Sequence, residues 1–222
     1  MVSVWVALHL VAGKLTFLDR TPRSRSLSVA GGISVAYVFL HVFPELRHYA
    51  RSHDWAHELL VEGLALVGLV AFYSLERVVV SDRRRPSISP GVFWLHLGAF
   101  ALYNLFVGAV WAREESESLR ELLLAGFALG VHFLVNDHGL SEHHGERYRR
   151  VGRFILAGSA SAGWAVGYFA PVPERILAGL FAFLAGGVIL NVLKEELPEE
   201  RESRFGAFVA GAALYGGIWL AL

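Results

Sequence analysis

What most limits the folding of this chain is a succession of apolar runs, each near twenty residues long and each closed by a charged turn. At a rise of 1.5 Å per residue, a helix of about 20 residues crosses the hydrocarbon core of a bilayer. Eight such runs lie at about 2–18, 27–46, 59–76, 91–112, 120–140, 151–170, 174–194 and 204–222. They predict an all-α integral membrane protein with eight transmembrane helices, forming a single domain over residues 1–222. Trp94, Trp111, Tyr73, Tyr148 and Tyr168 fall near the expected span ends, where interfacial aromatics belong.

Composition enters where it excludes a class. Of the 222 residues, 55% are hydrophobic and 18% charged, and the formal net charge is zero. No basic bias therefore points to nucleic acid. The absence of cysteine removes disulfide frameworks and thiolate metal sites. The first run lacks a basic leader and a small-residue cleavage site, so it is expected to be retained.

The arginines orient the bundle. Fourteen basic residues fall in the odd-numbered loops: Arg20, Arg23 and Arg25; Arg77, Arg83, Arg84 and Arg85; Arg147, Arg149, Arg150 and Arg153; Lys194, Arg201 and Arg204. The even-numbered loops hold five: Arg47, Arg51, Arg113, Arg120 and Arg175. The positive-inside rule then puts the odd loops in the cytoplasm and both termini outside. A multi-pass protein of the cell's inner (plasma) membrane is expected.

An internal repeat is also visible. GGISVAYVFLHVFPE (31–45) and GGVILNVLKEELPE (186–199) each run from a Gly pair through apolar residues to Pro-Glu. They occupy matching places in the first and last three spans, which cross in opposite directions. Such a pattern fits an inverted repeat of helices 1–3 and 6–8 around helices 4 and 5.

The polar residues inside the spans carry the functional question. On a 100° wheel Ala125, Ala128, His132, Asn136 and Gly139 share one face of the fifth helix. Ala101, Asn104 and Gly108 form a similar face on the fourth, flanked by His96, Tyr103 and Val107. The two faces are expected to pack together with polar side chains between them. Ionisable groups at that depth are costly and often functional, although buried His and Asn also serve as hydrogen-bonding glue between helices. His9, near the middle of the first helix, reads as a packing residue. His41 lies near the outer end of the second, where Pro44 is expected to end the helix. His138, Glu142, His143, His144 and Glu146 read either as a solvated loop or as a low-affinity metal antechamber. The Gly- and Ala-rich sixth and eighth helices suggest close crossings, or a homodimer face as the alternative.

These residues resemble motifs of the ZIP divalent-metal transporters. Leu40, His41, Pro44 and Glu45 fit a pattern like L-H-x-x-P-E; Asn104 and Gly108 keep part of H-N-x-x-E-G; His132 and Asp137 keep part of H-E-x-x-H-E. The resemblance implies an eight-helix ZIP-like bundle that moves zinc or a similar divalent ion by alternating access, with no organic cofactor and no enzymatic activity. Its departures are Tyr103, Val107 and Phe133, which stand where the family's patterns have a histidine or an acid. A two-metal centre is therefore not expected. A single displaced site of His96, His132, Asn136 and Asp137, with Asn104 nearby, is the candidate metal site. The alternative is a non-transporting ZIP-like scaffold or regulator. A membrane metal hydrolase ranks last, because no HExxH spacing occurs.

Overall fold

A computed structural model describes residues 1–13, 25–52, 58–83, 90–113, 118–170, 172–196 and 204–221. Among them the chain is entirely helical: α1 (Val2–Ala12), α2 (Arg25–Tyr37), α3 (Phe43–Ser52), α4 (Glu58–Arg83), α5 (Pro90–Trp111), α6 (Leu119–His144), α7 (Arg153–Phe169), α8 (Glu174–Glu196) and α9 (Phe205–Leu220). π-helical turns at Val38–Val42 and Tyr148–Gly152 join α2 to α3 and lead into α7. Arg20, Arg23, Arg84, Arg85 and Arg201 of the orienting loops lie outside the described residues.

Among the described residues, five segments are long and apolar enough to cross a membrane: Arg25–His48, Leu60–Ser81, Pro90–Trp111, Leu119–His144 and Glu174–Leu193. α1 and α9 are apolar but shorter, and α7 has 17 residues. Large apolar side chains such as Leu66, Trp94, Phe127, Phe154 and Leu214 are more than half exposed. In water so much apolar surface would be a liability, whereas in lipid it is the natural outer face. The protein is an all-α membrane protein in contact with the bilayer.

Three helix pairs pack closely: α2 on α9, α4 on α8, and α5 on α7. Glycine makes each possible. A Cβ on Gly32 would collide with the Phe208 carbonyl, and one on Gly211 with the Val29 carbonyl. Gly68 lies equally close to the Phe183 carbonyl, and Gly186 to that of Ala65. In the third pair Gly108 meets Ala160, Gly163 meets Leu105 and Gly167 meets Ala109. Polar ties fix some ends: the Arg204 amide donates to Ser28 Oγ at 3.1 Å, and Arg113 donates from Nε to the Gly167 carbonyl at 2.6 Å.

Three expectations are corrected. First, Pro44 does not end a helix. The π turn at Val38–Val42 widens the backbone just before it, with Phe43 N–H bonded to Val38 O, and α3 continues to Ser52. A widened turn accommodates a ring that would otherwise press on the carbonyl four residues back. Second, the stretch from His138 is not a solvated loop. α6 runs to His144, with Gly145 at φ 53° closing it, and both His138 and His144 are buried. Third, the small faces of α5 and α6 do not bring the two backbones close: Gly108 of α5 lies against α7, and α5 with α6 is not one of the closely packed pairs.

Candidate functional site

α5 and α6 are not one of the closely packed pairs, and side chains fill the interval between them. Toward one end, His96 Nδ1 of α5 and His144 Nε2 of α6 stand 3.0 Å apart, sharing one proton in a buried hydrogen bond. Phe100 packs edge-on against His96 and Phe93 against His144, each with ring centroids 5.2 Å apart. Farther along, Tyr103 faces His132 and Phe133, with centroids at 6.1 and 6.4 Å. Tyr103 is buried together with Phe72, Phe133 and Trp5 in the main apolar core.

The five residues singled out from sequence are thus dispersed. Asn136 Nδ2 donates to His132 Nε2 at 3.0 Å, one turn back on the same helix. Asn104 Nδ2 donates to the Phe100 carbonyl of its own helix at 2.8 Å. His96 is held by His144. Asp137, 1% exposed, turns away from α5 toward α1, where its Oδ2 lies 2.7 Å from Nδ1 of the fully buried His9. His132 and Asp137 are five residues apart, about 140° around a helix at 100° per residue, so they point to different neighbours. Among the described residues no group of three or more His, Cys, Asp or Glu side chains is placed to hold a metal ion.

The sequence marks His9 as a packing residue, Tyr148 as interfacial, Arg153 as a loop cation and His144 as solvated loop or metal antechamber; it signals none of them as part of a buried polar cluster. Tyr148 is fully buried, and its hydroxyl is near enough to act on the Asp137 carboxylate without completing a well-formed hydrogen bond. Burial first, then the Asp137 charge, push the Tyr148 phenol above its ordinary range, so it stays protonated. Arg153 Nη1 donates to the Leu10 carbonyl at 3.1 Å. His9 Nε2, Asp137 Oδ1, Tyr148 Oη and Arg153 Nε are all buried and have no hydrogen-bond partner. Each unsatisfied buried polar atom costs about 1–3 kcal/mol. Four in one neighbourhood would consume much of a domain's net stability of roughly 5–15 kcal/mol, so ordered water is the expected partner. Just outside, Glu146 is exposed between Arg149 and Arg150, and hydrogen bonds from Arg150 and then Arg149 hold its carboxyl below the ordinary range.

Two spaces are large enough to note. A partly open cavity of about 50 Å³ lies among Tyr37, His41, Tyr103, Trp111, Phe181 and Leu184. An open groove of about 510 Å³ is lined by Met1, Val2, Trp111, Ser161 and Trp164, and no imidazole reaches it.

No family model matches the chain. The chain is similar to MsrQ, the haem-binding subunit of protein-methionine-sulfoxide reductase, from Pasteurella multocida (strain Pm70), with 27% identity over 107 residues. That match covers 46% of this chain and 52% of MsrQ, so the chain spans about half the length of the curated relative it matches. The relationship overturns the expectation of a ZIP-type carrier of zinc or another divalent ion, together with the ZIP-like scaffold offered as its alternative. It also corrects the expectation that no organic cofactor is involved, since the relative binds haem. The partial ZIP motifs are accounted for locally: His41 stacks on Tyr37, Pro44 follows a π turn, and Asp137 pairs with His9.

Proposed function

We propose that the chain is a membrane-embedded subunit of a redox system, with His96 and His144 as the imidazoles that hold a haem between α5 and α6. The observation that carries this reading is the facing pair itself: two nearly buried imidazoles from two helices, flanked by aromatic rings. The similarity to a haem-binding reductase subunit supports it.

The donor set fits a haem, and the space between the donors is closed. His96 and His144 would hold the haem iron through their facing nitrogens. These are in direct contact at 3.0 Å, so the side chains around the pair would have to give way for the macrocycle. α5 is anchored on α7, and α6 on α1 and α2, so separating α5 from α6 leaves the closest helix pairs intact. Ligation also requires both facing nitrogens as lone pairs. The proton they share must therefore move to the far nitrogen of one ring. A bound haem would supply one-electron transfer; the chain's own residues position it and exclude water. The chain is accordingly a subunit rather than a self-standing enzyme.

Two features of architecture belong to the same proposal. The excess of arginine in odd loops favours both termini outside, in an eight-span protein of the inner membrane. The reciprocal glycine crossings favour an inverted repeat. Gly32 and Gly211 join α2 to α9, Gly186 and Gly68 join α8 to α4, and α2 and α8 carry the two matching sequence stretches.

The test is haem titration of the purified chain. One haem per chain, with the sharp bands of a six-coordinate low-spin iron that are lost in His96→Ala and in His144→Ala, is the expected result. Failure to bind haem, or an unchanged spectrum in both variants, would reject the reading.

A further inference from the structure

The cluster at the junction of α1, α6 and α7 is independent of the α5–α6 pair and is built from four titratable groups on separate elements. His9 comes from the last turn of α1, Asp137 from α6, Tyr148 from the π turn and Arg153 from the start of α7. The exposures of His9, Asp137 and Tyr148 are 0%, 1% and 0%. Their single strong contact is the 2.7 Å hydrogen bond between His9 Nδ1 and Asp137 Oδ2. Each of the four groups also presents a buried polar atom with no partner.

The surroundings give the cluster two ends. Toward the surface, Arg149 and Arg150 are 46% and 77% exposed next to Tyr148 in the chain. Asp137 lies seven residues inside the end of α6, about 10 Å along the helix. The side chains of Arg149, Tyr148 and Ser141 all come within 3.3–3.6 Å of the position a Cβ would take on Gly13, which places them at the mouth of the cluster. Toward the interior, the His9 ring packs on Phe133 at 5.1 Å, and Phe133 continues to Trp5 and Tyr103. α2, which also packs on α6, presents Leu27 against Val135, and its charged residue is the exposed Arg25 at its start.

We propose that His9, Asp137, Tyr148 and Arg153 form a proton-accepting site reached from the arginine-rich end of the bundle. A proton entering through ordered water is accepted at Asp137 Oδ1. The pair then holds that added proton, with Oδ2 and His9 Nδ1 joined by the 2.7 Å hydrogen bond, and returns it to the same water. The proton that enters leaves by the same route, and nothing is oxidised or reduced. Arg153 is the fixed countercharge, since its guanidinium does not deprotonate. Tyr148 keeps its proton and orients the water at the entrance. Carboxylates and imidazoles buried inside membranes are recurrent proton carriers, and an imidazole with one nitrogen on a carboxylate is placed to share the added charge.

The experiment uses the full chain in lipid nanodiscs without haem, so its outcome does not depend on the α5–α6 pair. Infrared difference spectra are recorded as pH is stepped in H₂O and D₂O, for the parent, Asp137→Asn, His9→Gln and Tyr148→Phe. The expected result is one carboxylic C=O band that titrates, shifts in D₂O, is absent in Asp137→Asn and changes its midpoint in His9→Gln. Tyr148→Phe should keep the band and slow its deuterium exchange at least several-fold. If Asp137→Asn fails to fold, the His9→Gln and Tyr148→Phe readings decide. A parent with no titrating band between pH 4 and 10, or a Tyr148→Phe variant exchanging at the parent rate, would overturn the proposal and leave a purely structural pair.

Discussion

His96 and His144 meet at 3.0 Å although they come from α5 and α6, two helices whose backbones are held by other partners. The bundle is thus stiff where glycine brings backbones together, at α2–α9, α4–α8 and α5–α7. It is bridged only by side chains where its polar groups lie. A membrane bundle has little hydrophobic force to drive its helices together, so close backbone packing supplies the cohesion. The α5–α6 interval lacks that packing, and in the proposed function it is where the ligand would enter.

The glycine crossings give the first prediction. Gly32→Ala and Gly186→Ala each force a Cβ into a backbone carbonyl of the neighbouring helix. Overpacking of this kind costs about 1–3 kcal/mol or more, and a carbonyl cannot swing aside as a flexible side chain can. Gly98→Ala is the control, since nothing lies within 4 Å of its Cβ position. Thermal unfolding in detergent should show a clear loss of midpoint for the first two and none for the third. Equal effects at all three would mean that the crossings are not where the stability lies.

Much of the architecture was legible in the sequence because length and polarity alone dictate which segments can cross a bilayer. Helix pairing was not. The small faces of α5 and α6 looked complementary, yet α7 carries Gly163 and Gly167 at the spacing that receives α5 more closely. The site was legible only as a set of residue types. His132 and Asp137 are close in sequence but diverge around the helix, whereas His9 and Asp137 are 128 residues apart and meet at 2.7 Å in the buried interior. His144 read as loop because charged and histidine residues crowd 138–146, although burial against α5 keeps α6 helical to that point. Pro44 misled for a related reason: a π turn is a tertiary remedy that local propensity does not encode.

The proposed inverted repeat makes a geometric prediction. In an experimental structure, α2 with α9 should superpose on α8 with α4 after a half-turn about an axis in the membrane plane. Gly32 should fall near Gly186 or Gly187, and Gly211 near Gly68. Pairs that overlay only by a rotation about the membrane normal, or by none, would contradict it.

Orientation can be read chemically: in the proposed orientation the α6–α7 turn is cytoplasmic. Glu146, 57% exposed in that turn, and Arg175, exposed at the opposite end near the start of α8, are suitable cysteine positions in a chain that has none of its own. In intact cells Arg175→Cys should react with an impermeant thiol reagent, and Glu146→Cys should react only after permeabilisation. The reverse pattern would invert the topology.

The His9–Asp137 pair supplies the last prediction. Both side chains are fully removed from solvent, and breaking such a pair from one side leaves a buried ionisable group without its partner. His9→Leu alone and Asp137→Leu alone should therefore each cost about 3–5 kcal/mol. Removing both together leaves no orphan, and an apolar replacement of similar volume is often neutral or even stabilising. The double variant His9→Leu/Asp137→Leu should thus recover most of the loss, giving a coupling energy well above the roughly 0.3–0.5 kcal/mol seen for independent sites. Tyr148 and Arg153 would keep their own unpaired atoms in that variant, so recovery should fall short of complete. Additive losses in a double-mutant cycle, measured by denaturant or thermal unfolding in the same lipid, would show that the 2.7 Å contact contributes nothing specific.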